Sequence, residues 1–272
     1  MITPILILTR DNPEYLYVTL KSLSATEIND NPIIIIDNCS SFQFTKNFYE
    51  TYDTFDVTFN DWTTEGKSSQ EKADKEYAKT FLTIPQITQI QGIKRKFQVI
   101  STPRILKPIK IIQFALKAAF KIFPKANKCC ILDDNILFNK HWLNEAEFIF
   151  ESSKKPRNNV GIVSVYSEEP AIPEFRYKID AQAFRGKMML VNRELYQKMF
   201  IKGYFDKGAE FFGNEPNFVE FERICYQMGF ITVVSGPSFI QSLEKRNLST
   251  KNNMLKYQDN FKRPISWNDS ML

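Results

Sequence analysis

Residues 129–135 read Cys-Cys-Ile-Leu-Asp-Asp-Asn. The apolar run suits a strand buried on both faces, as in a parallel sheet covered by helices. The strand then releases two adjacent carboxylates, Asp133 and Asp134. Side by side they repel, and at the tip of a buried strand they are costly without a cation or hydrogen-bond donors. A divalent ion with hard oxygen ligands, Mn2+ or Mg2+, removes that cost. Read alone, the pair is equally well explained as two carboxylates capping the following turn.

Upstream, the same pattern occurs twice more. Pro4-Ile5-Leu6-Ile7-Leu8 is an apolar run closed by Thr9-Arg10-Asp11-Asn12-Pro13. Asp11 or Asn12 is suited to cap a helix with Pro13 in its first turn. That helix is predicted over 13–24, with Leu16, Leu20 and Leu23 on one face. Pro32 to Ile36 is a second buried strand, stopped by Asp37-Asn38-Cys39-Ser40. Strand, helix, strand makes a βαβ unit and a mostly parallel sheet. In such sheets ligands gather at the carboxyl ends of the strands. Three strand ends here carry acids or amides: Asp11/Asn12, Asp37/Asn38 and Asp133/Asp134/Asn135.

Residues 41–96 are less regular and read as an insertion, with a charged helix over 69–81 and a basic loop over 92–96. A short strand over 97–100 precedes a helix over about 107–122. On that helix Ile112, Ala115, Leu116, Ala119 and Phe123 share a face, while Lys110, Lys117 and Lys121 lie opposite with Phe114 among them. The lysines form either a solvated face or a basic surface for an anionic acceptor. Downstream, the pattern predicts a helix over 140–152, a strand over 160–165, a strand over 183–191 around Gly186, helices over 193–200 and 217–228, and a strand over 231–234. The tail from Glu244 is polar.

Composition narrows the function classes. Of 272 residues 43% are hydrophobic, with 24 Phe and 11 Tyr, enough for a large core, but only 9 are Gly. Neither GxGxxG nor GxxxxGK[ST] occurs, so two common phosphate-binding devices are missing. A net charge of +5 favours anionic partners mildly. Cys39, Cys129, Cys130 and Cys225 form no CxxC pair and read as reduced, buried thiols of a cytoplasmic protein rather than a zinc site. No signal peptide and no membrane-spanning run is visible.

The order of the pieces is more specific than any one of them. ILILTRDNPEYLYVTLKSL (5–23), PIIIIDNCS (32–40) and CCILDDNILFNKHWL (129–143) together resemble the GT-A glycosyltransferases. The likeness is to family-2 enzymes with an LDDD strand end, and to the N-acetylglucosaminyltransferase I type, in which an EDD strand end precedes a PDF helix start. FRGKMMLVNRELYQKMF (184–200) is similar to their acceptor-side strand and helix. Residues 203–230 are similar to the segment that supplies the catalytic base, and GPSFIQSL (236–243) resembles their closing strand.

That resemblance implies an α/β fold of GT-A type: a single domain with a mostly parallel nucleotide-binding sheet flanked by helices. It spans residues 1–243, with 1–140 as the nucleotide-sugar half, 141–243 as the acceptor half and 244–272 as a tail. It implies a UDP-sugar donor, with Thr9 and Arg10 by the base and ribose, Asp37 accepting a hydrogen bond from the base, and Asp133 at the ribose or metal. Gly186 joins this donor-binding set. The metal ligand is Asp134 in the EDD register, which is preferred, or Asn135 in the LDDD register. The base is Glu215, with Glu210 and Glu220 behind it. Gln241 stands where many relatives have a closing-strand His, and the only histidine, His141, reads as a capping or surface residue. The reaction implied is metal-assisted displacement with inversion. The acceptor is open: a composition heavy in Lys, Ile, Asn and Phe, with the basic helix face and the 92–96 loop, suggests a hydroxymethylated or glucosylated base in phage DNA, and the rival is a bacterial surface glycan. A sugar-phosphate nucleotidyltransferase and a silent nucleotide-sugar-binding module are the readings from other classes.

Overall fold

The structure, a computed structural model, describes residues 2–41, 52–57, 82–87, 97–106, 108–153, 159–166, 177–179, 187–201, 225–236 and 238–243. Its strands are β1 (Ile5–Thr9), β2 (Ile33–Asp37), β3 (Tyr52–Val57), β4 (Leu82–Ile87), β5 (Phe97–Ser101), β6 (Lys128–Asp133), β7 (Ile136–Phe138), β8 (Asn159–Ser164), β9 (Tyr177–Ile179), β10 (Met188–Asn192), β11 (Phe230–Ser235) and β12 (Ile240–Ser242). The longer helices are α1 (Pro13–Ser24), α2 (Pro108–Ile122), α3 (Trp142–Ser152) and α4 (Arg193–Ile201).

The main sheet has the order β3-β4-β5-β2-β1-β6-β10-β8-β11-β9. In its centre β5, β2, β1, β6, β8 and β11 run one way and β10 runs against them. This is the mostly parallel, helix-flanked sheet expected from the sequence. Burial on both faces explains the unbroken apolar runs. Leu6, Ile34, Ile36, Cys129 and Ile131 pack with Ile112, Ala115, Leu116 and Ala119 of α2 on one side. Ile5, Ile7, Ile33, Ile35 and Leu132 pack with Leu16, Leu20 and Leu23 of α1 and with Trp142 and Phe150 of α3 on the other. The alternation within β1 is the period of two that sends successive side chains to opposite faces.

The structure departs from the sequence pattern in three places. The lysine face of α2 is not an open basic surface: Phe114 is 1% exposed and Lys117 8%, leaving only Lys121 exposed and Lys110 half-buried. The helix is packed nearly all round, and Phe114 is part of the core. Residues 136–138, too short to show a period, form β7, which pairs with the closing strand β12 in a separate two-stranded sheet. Helix α3 starts two residues later than expected, and His141 at its N-cap makes no capping bond. It lies on the surface, with Nδ1 2.7 Å from Glu27 Oε2. Of 41–96, the described parts β3 and β4 extend the sheet antiparallel beyond β5. The expected helix 69–81, the loop 92–96, the start of the strand at 183–186, most of the helix 217–228 and the tail lie outside the described residues.

Gly161 in β8 is a packing requirement. A Cβ there would stand 2.8 Å from Leu195 Cδ2 and 2.9 Å from Phe230 Cβ. Gly161→Ala is therefore expected to destabilise the fold by about 1–3 kcal/mol, the usual cost of overpacking, measured by urea unfolding. An unchanged midpoint would mean that α4 and β11 yield freely.

Candidate functional site

The register of the parallel strands gathers polar side chains into one row. Thr9 pairs with Asp37, and Asp37 with Ser101, so the last residues of β1, β2 and β5 stand side by side. Leu8 pairs with Asp133, which brings the tip of β6 level with them. From β1 the chain proceeds to β2 and β5 on one side, then crosses to β6 on the other. The carboxyl ends of β1 and β6 thus flank a topological switch point, where open α/β sheets hold their ligands.

Asp37 is 4% exposed. Its carboxylate accepts from Ser40 Oγ in a very short bond, from Ser101 Oγ at 3.2 Å and from the Ser40 amide at 3.3 Å. Burial nevertheless pushes its pKa up, against those hydrogen bonds, with Asp11 adding to the rise. The turns beyond β1 and β2 hold each other. Asp11 and Cys39 both sit in the left-handed region, at φ 51° and 57°. Asp11 tolerates this as a short polar residue. Its amide donates to Ser40 Oγ at 2.9 Å and its carboxylate accepts from the Ser41 amide at 2.8 Å. Arg10 is exposed beside it, 3.7 Å from Asp11 Oδ2. Asn38 exchanges two bonds with the backbone of Leu106, at 2.9 and 2.7 Å.

A folded-state pKa raised above the unfolded value makes Asp37 favour the fold most at low pH, below about 4. That contribution fades as pH rises through the raised folded value. Asp37→Asn should therefore gain stability relative to the native chain as pH climbs above about 4, then hold level. Urea unfolding across pH 4–7 checks this; a difference that shrinks with rising pH would give the wrong sign.

Asp133 and Asp134, adjacent in sequence, have different surroundings. Asp134 is 3% exposed. Its carboxylate accepts from Thr9 Oγ1 at 2.7 Å and faces the Asn12 amide at 3.5 Å, while its carbonyl accepts from Thr19 Oγ1 at 2.7 Å. The Thr9–Asp134 bond spans the switch point from β1 to β6. Asp133, whose side chain is 36% exposed, accepts from Lys187 Nζ at 2.7 Å and from the Asp134 amide at 3.0 Å. Lys187 Nζ also donates to Asn135 Oδ1 at 3.2 Å. Asn135 is 3% exposed, and its carbonyl takes the Leu243 amide at 2.6 Å, which ties the turn to the end of β12. Gln241, on β12 opposite Leu137, is 1% exposed.

Of the residues singled out in the sequence, the structure brings together Thr9, Asp37, Asp133, Asp134 and Asn135, with Arg10 at the rim. Gly186, Glu210, Glu215 and Glu220 lie outside the described residues. Sequence reasoning missed Lys187 and Ser101. Ser101 follows a short apolar strand, a signal that was readable. Lys187 faces Asp133 only because Met188 pairs with Leu132 across an antiparallel ladder, which no local pattern encodes. Among the described residues no three His, Cys, Asp or Glu side chains converge on a metal position, and no helix is long and apolar enough to cross a membrane.

No family model matches the chain, and no curated protein matches it in sequence. Solved structures do. S. aureus TarS 1-349 in complex with UDP-GlcNAc superposes with TM-score 0.50 at 13% identity, over 90% of this chain and 59% of that one. The glycosyltransferase GlyE of Streptococcus pneumoniae TIGR4 is similar at TM-score 0.42 and 8% identity, over 85% of this chain and 45% of that one. This chain thus spans less than two thirds of either structure. At these identities the likeness concerns architecture: the chain has a GT-A-type fold.

Proposed function

We propose that the chain is a glycosyltransferase that moves a sugar from a UDP-sugar to an acceptor hydroxyl. The observation that carries this reading is the Thr9–Asp134 bond across the switch point, in register with Asp37 and beside Asp133. It is supported by the fold shared with a structure that binds UDP-GlcNAc. In this reading the base of the donor lies over β1 and β2, where Asp37 accepts from an imide N–H, with Thr9 and Arg10 towards the ribose. The diphosphate lies towards the tip of β6. An acceptor hydroxyl, deprotonated by a carboxylate within hydrogen-bond reach, displaces the diphosphate with inversion at the sugar carbon. Glu215 is the first choice for that carboxylate.

The Mn2+ or Mg2+ expected from the sequence does not fit the donor set that the described residues present. Both Asp133 oxygens have a donor, Asp134 is turned to Thr9 and Asn12, and Asn135 is a neutral ligand. A DNA acceptor loses the support of α2, whose aromatic is in the core, so a glycan hydroxyl is the favoured acceptor.

The test is release of UDP from a panel of UDP-sugars, with oligosaccharide and duplex DNA acceptors in parallel. Turnover with an oligosaccharide is expected. Tight UDP binding without turnover on any acceptor would support a silent binding module instead. Salt-steep DNA binding with DNA-dependent turnover would restore the nucleic-acid acceptor.

A further inference from the structure

Resting on the reading of a UDP-sugar donor, we propose that Lys187 is the cation of the donor site: its ammonium, held by Asp133 and Asn135, takes the diphosphate without a divalent metal. Met188 pairs with Leu132, so Lys187 enters β10 directly across from Asp133. The backbone fixes that approach, because the Asp133 amide donates to the Lys187 carbonyl at 3.0 Å. Lys187 Nζ then lies 2.7 Å from Asp133 Oδ2 and 3.2 Å from Asn135 Oδ1. These are two of the three oxygen-bearing side chains at the strand tip; the third, Asp134, accepts from Thr9.

Charge and donor count both suit an ammonium. A hard dication prefers several oxygen ligands, carboxylates among them. Here one carboxylate is already matched by a lysine, the second is 3% exposed and turned to Thr9, and the third position is an amide. An ammonium has three N–H donors. Two go to Asp133 and Asn135, which leaves one for a phosphate oxygen. The Lys187 side chain is 24% exposed, enough for a ligand to reach it. Ammonium to phosphate is a charge-assisted bond, stronger than a neutral one. A purely structural cross-strand ion pair is the competing explanation. It predicts an effect on stability and none on the metal dependence of nucleotide binding.

The experiment is calorimetric titration of UDP into the full chain, in EDTA and in Mn2+, for the native protein, Lys187→Gln and Lys187→Arg. The native chain is expected to bind UDP in EDTA, less tightly as salt is raised, with little gain from Mn2+. Lys187→Gln should lose about tenfold or more in EDTA and recover part of it in Mn2+, because Asp133 is then released. Lys187→Arg should bind in EDTA within a fewfold of native. Native binding that requires Mn2+ overturns the proposal, as does Lys187→Gln binding in EDTA as tightly as native. Should Lys187→Gln fail to fold, the native and Lys187→Arg titrations still decide. Absence of UDP binding in both EDTA and Mn2+ removes the donor reading itself and the lysine role with it, whereas binding only in Mn2+ removes the lysine role alone.

Discussion

Glu215→Gln is expected to lower sugar transfer from a UDP-sugar by about 10²–10⁴-fold, the range of general-base assistance, with the unfolding midpoint unchanged. The described carboxylates at the strand tips are poor candidates for this role. Asp37 is wrapped by Ser40 and Ser101, Asp134 is bonded to Thr9, Asp133 to Lys187 and Asp11 to Ser41. Each is already engaged in the network that holds the strand tips together. The segment 203–230, which resembles the base-bearing stretch of GT-A enzymes, offers Glu210, Glu215 and Glu220. Gln keeps the size and shape of Glu but removes its charge and basicity and puts an NH2 donor in place of one acceptor oxygen, so a loss of this size points to proton transfer only if binding is preserved. UDP affinity should be preserved in the same variant. Glu210→Gln and Glu220→Gln serve as matched controls and should stay within about tenfold of native. A loss below tenfold for Glu215→Gln ends its assignment, and a large loss in one control moves the role there.

The fold was largely legible because its strands are buried on both faces. A strand of that kind must be apolar throughout and must stop where the chain leaves the sheet. The runs ending at Thr9, Asp37 and Asp133 therefore marked both the strands and their carboxyl edge. Helix α1 was equally readable, from Pro13 at its start and leucines at helical spacing. What the residues did not disclose was pairing. Strand β7 is three residues long, too short for a period to show, and exists because β12 returns to it. The lysines of α2 looked like a solvated face because periodicity records spacing and carries no information about what packs outside a helix. Lys117 and Phe114 are covered all the same.

The site was legible in its parts and opaque in its electrostatics. Two adjacent carboxylates at a buried strand end call for compensation on charge grounds alone. The sequence suggested a dication because the compensating groups are distant along the chain. In the structure the Thr9 hydroxyl donates to Asp134 and the Lys187 ammonium to Asp133. Each arrives through strand register, a long-range property. The general lesson concerns where a charge is satisfied: an acidic strand end fixes that a partner exists, and only the neighbouring strands fix which one.

Arg193→Ala is expected to cost about 2–4 kcal/mol of unfolding free energy. Arg193 opens α4, yet its guanidinium reaches back to the end of α2. It donates to the carbonyls of Ala126, of Phe123 at 2.8 Å and of Phe120 at 3.4 Å. These include carbonyls at a helix C-terminus, which have no partner within the helix. The guanidinium also lies 4.6 Å from the Phe120 ring centroid, a further cation–π contribution. Its own amide donates to the Asn127 carbonyl at 2.8 Å. One residue thus ties the end of α2 and the start of β6 to the end of β10. That tie sets the same β6–β10 ladder that brings Lys187 opposite Asp133. Arg193→Lys should recover less than half of the loss, because an ammonium has no planar fork to span several carbonyls. Loosening the ladder should also weaken UDP binding in EDTA, more than in Gly161→Ala at matched stability. Equal binding in the two variants would show that the clamp serves the fold alone, and an unfolding cost below about 1 kcal/mol would show that water replaces the guanidinium without penalty.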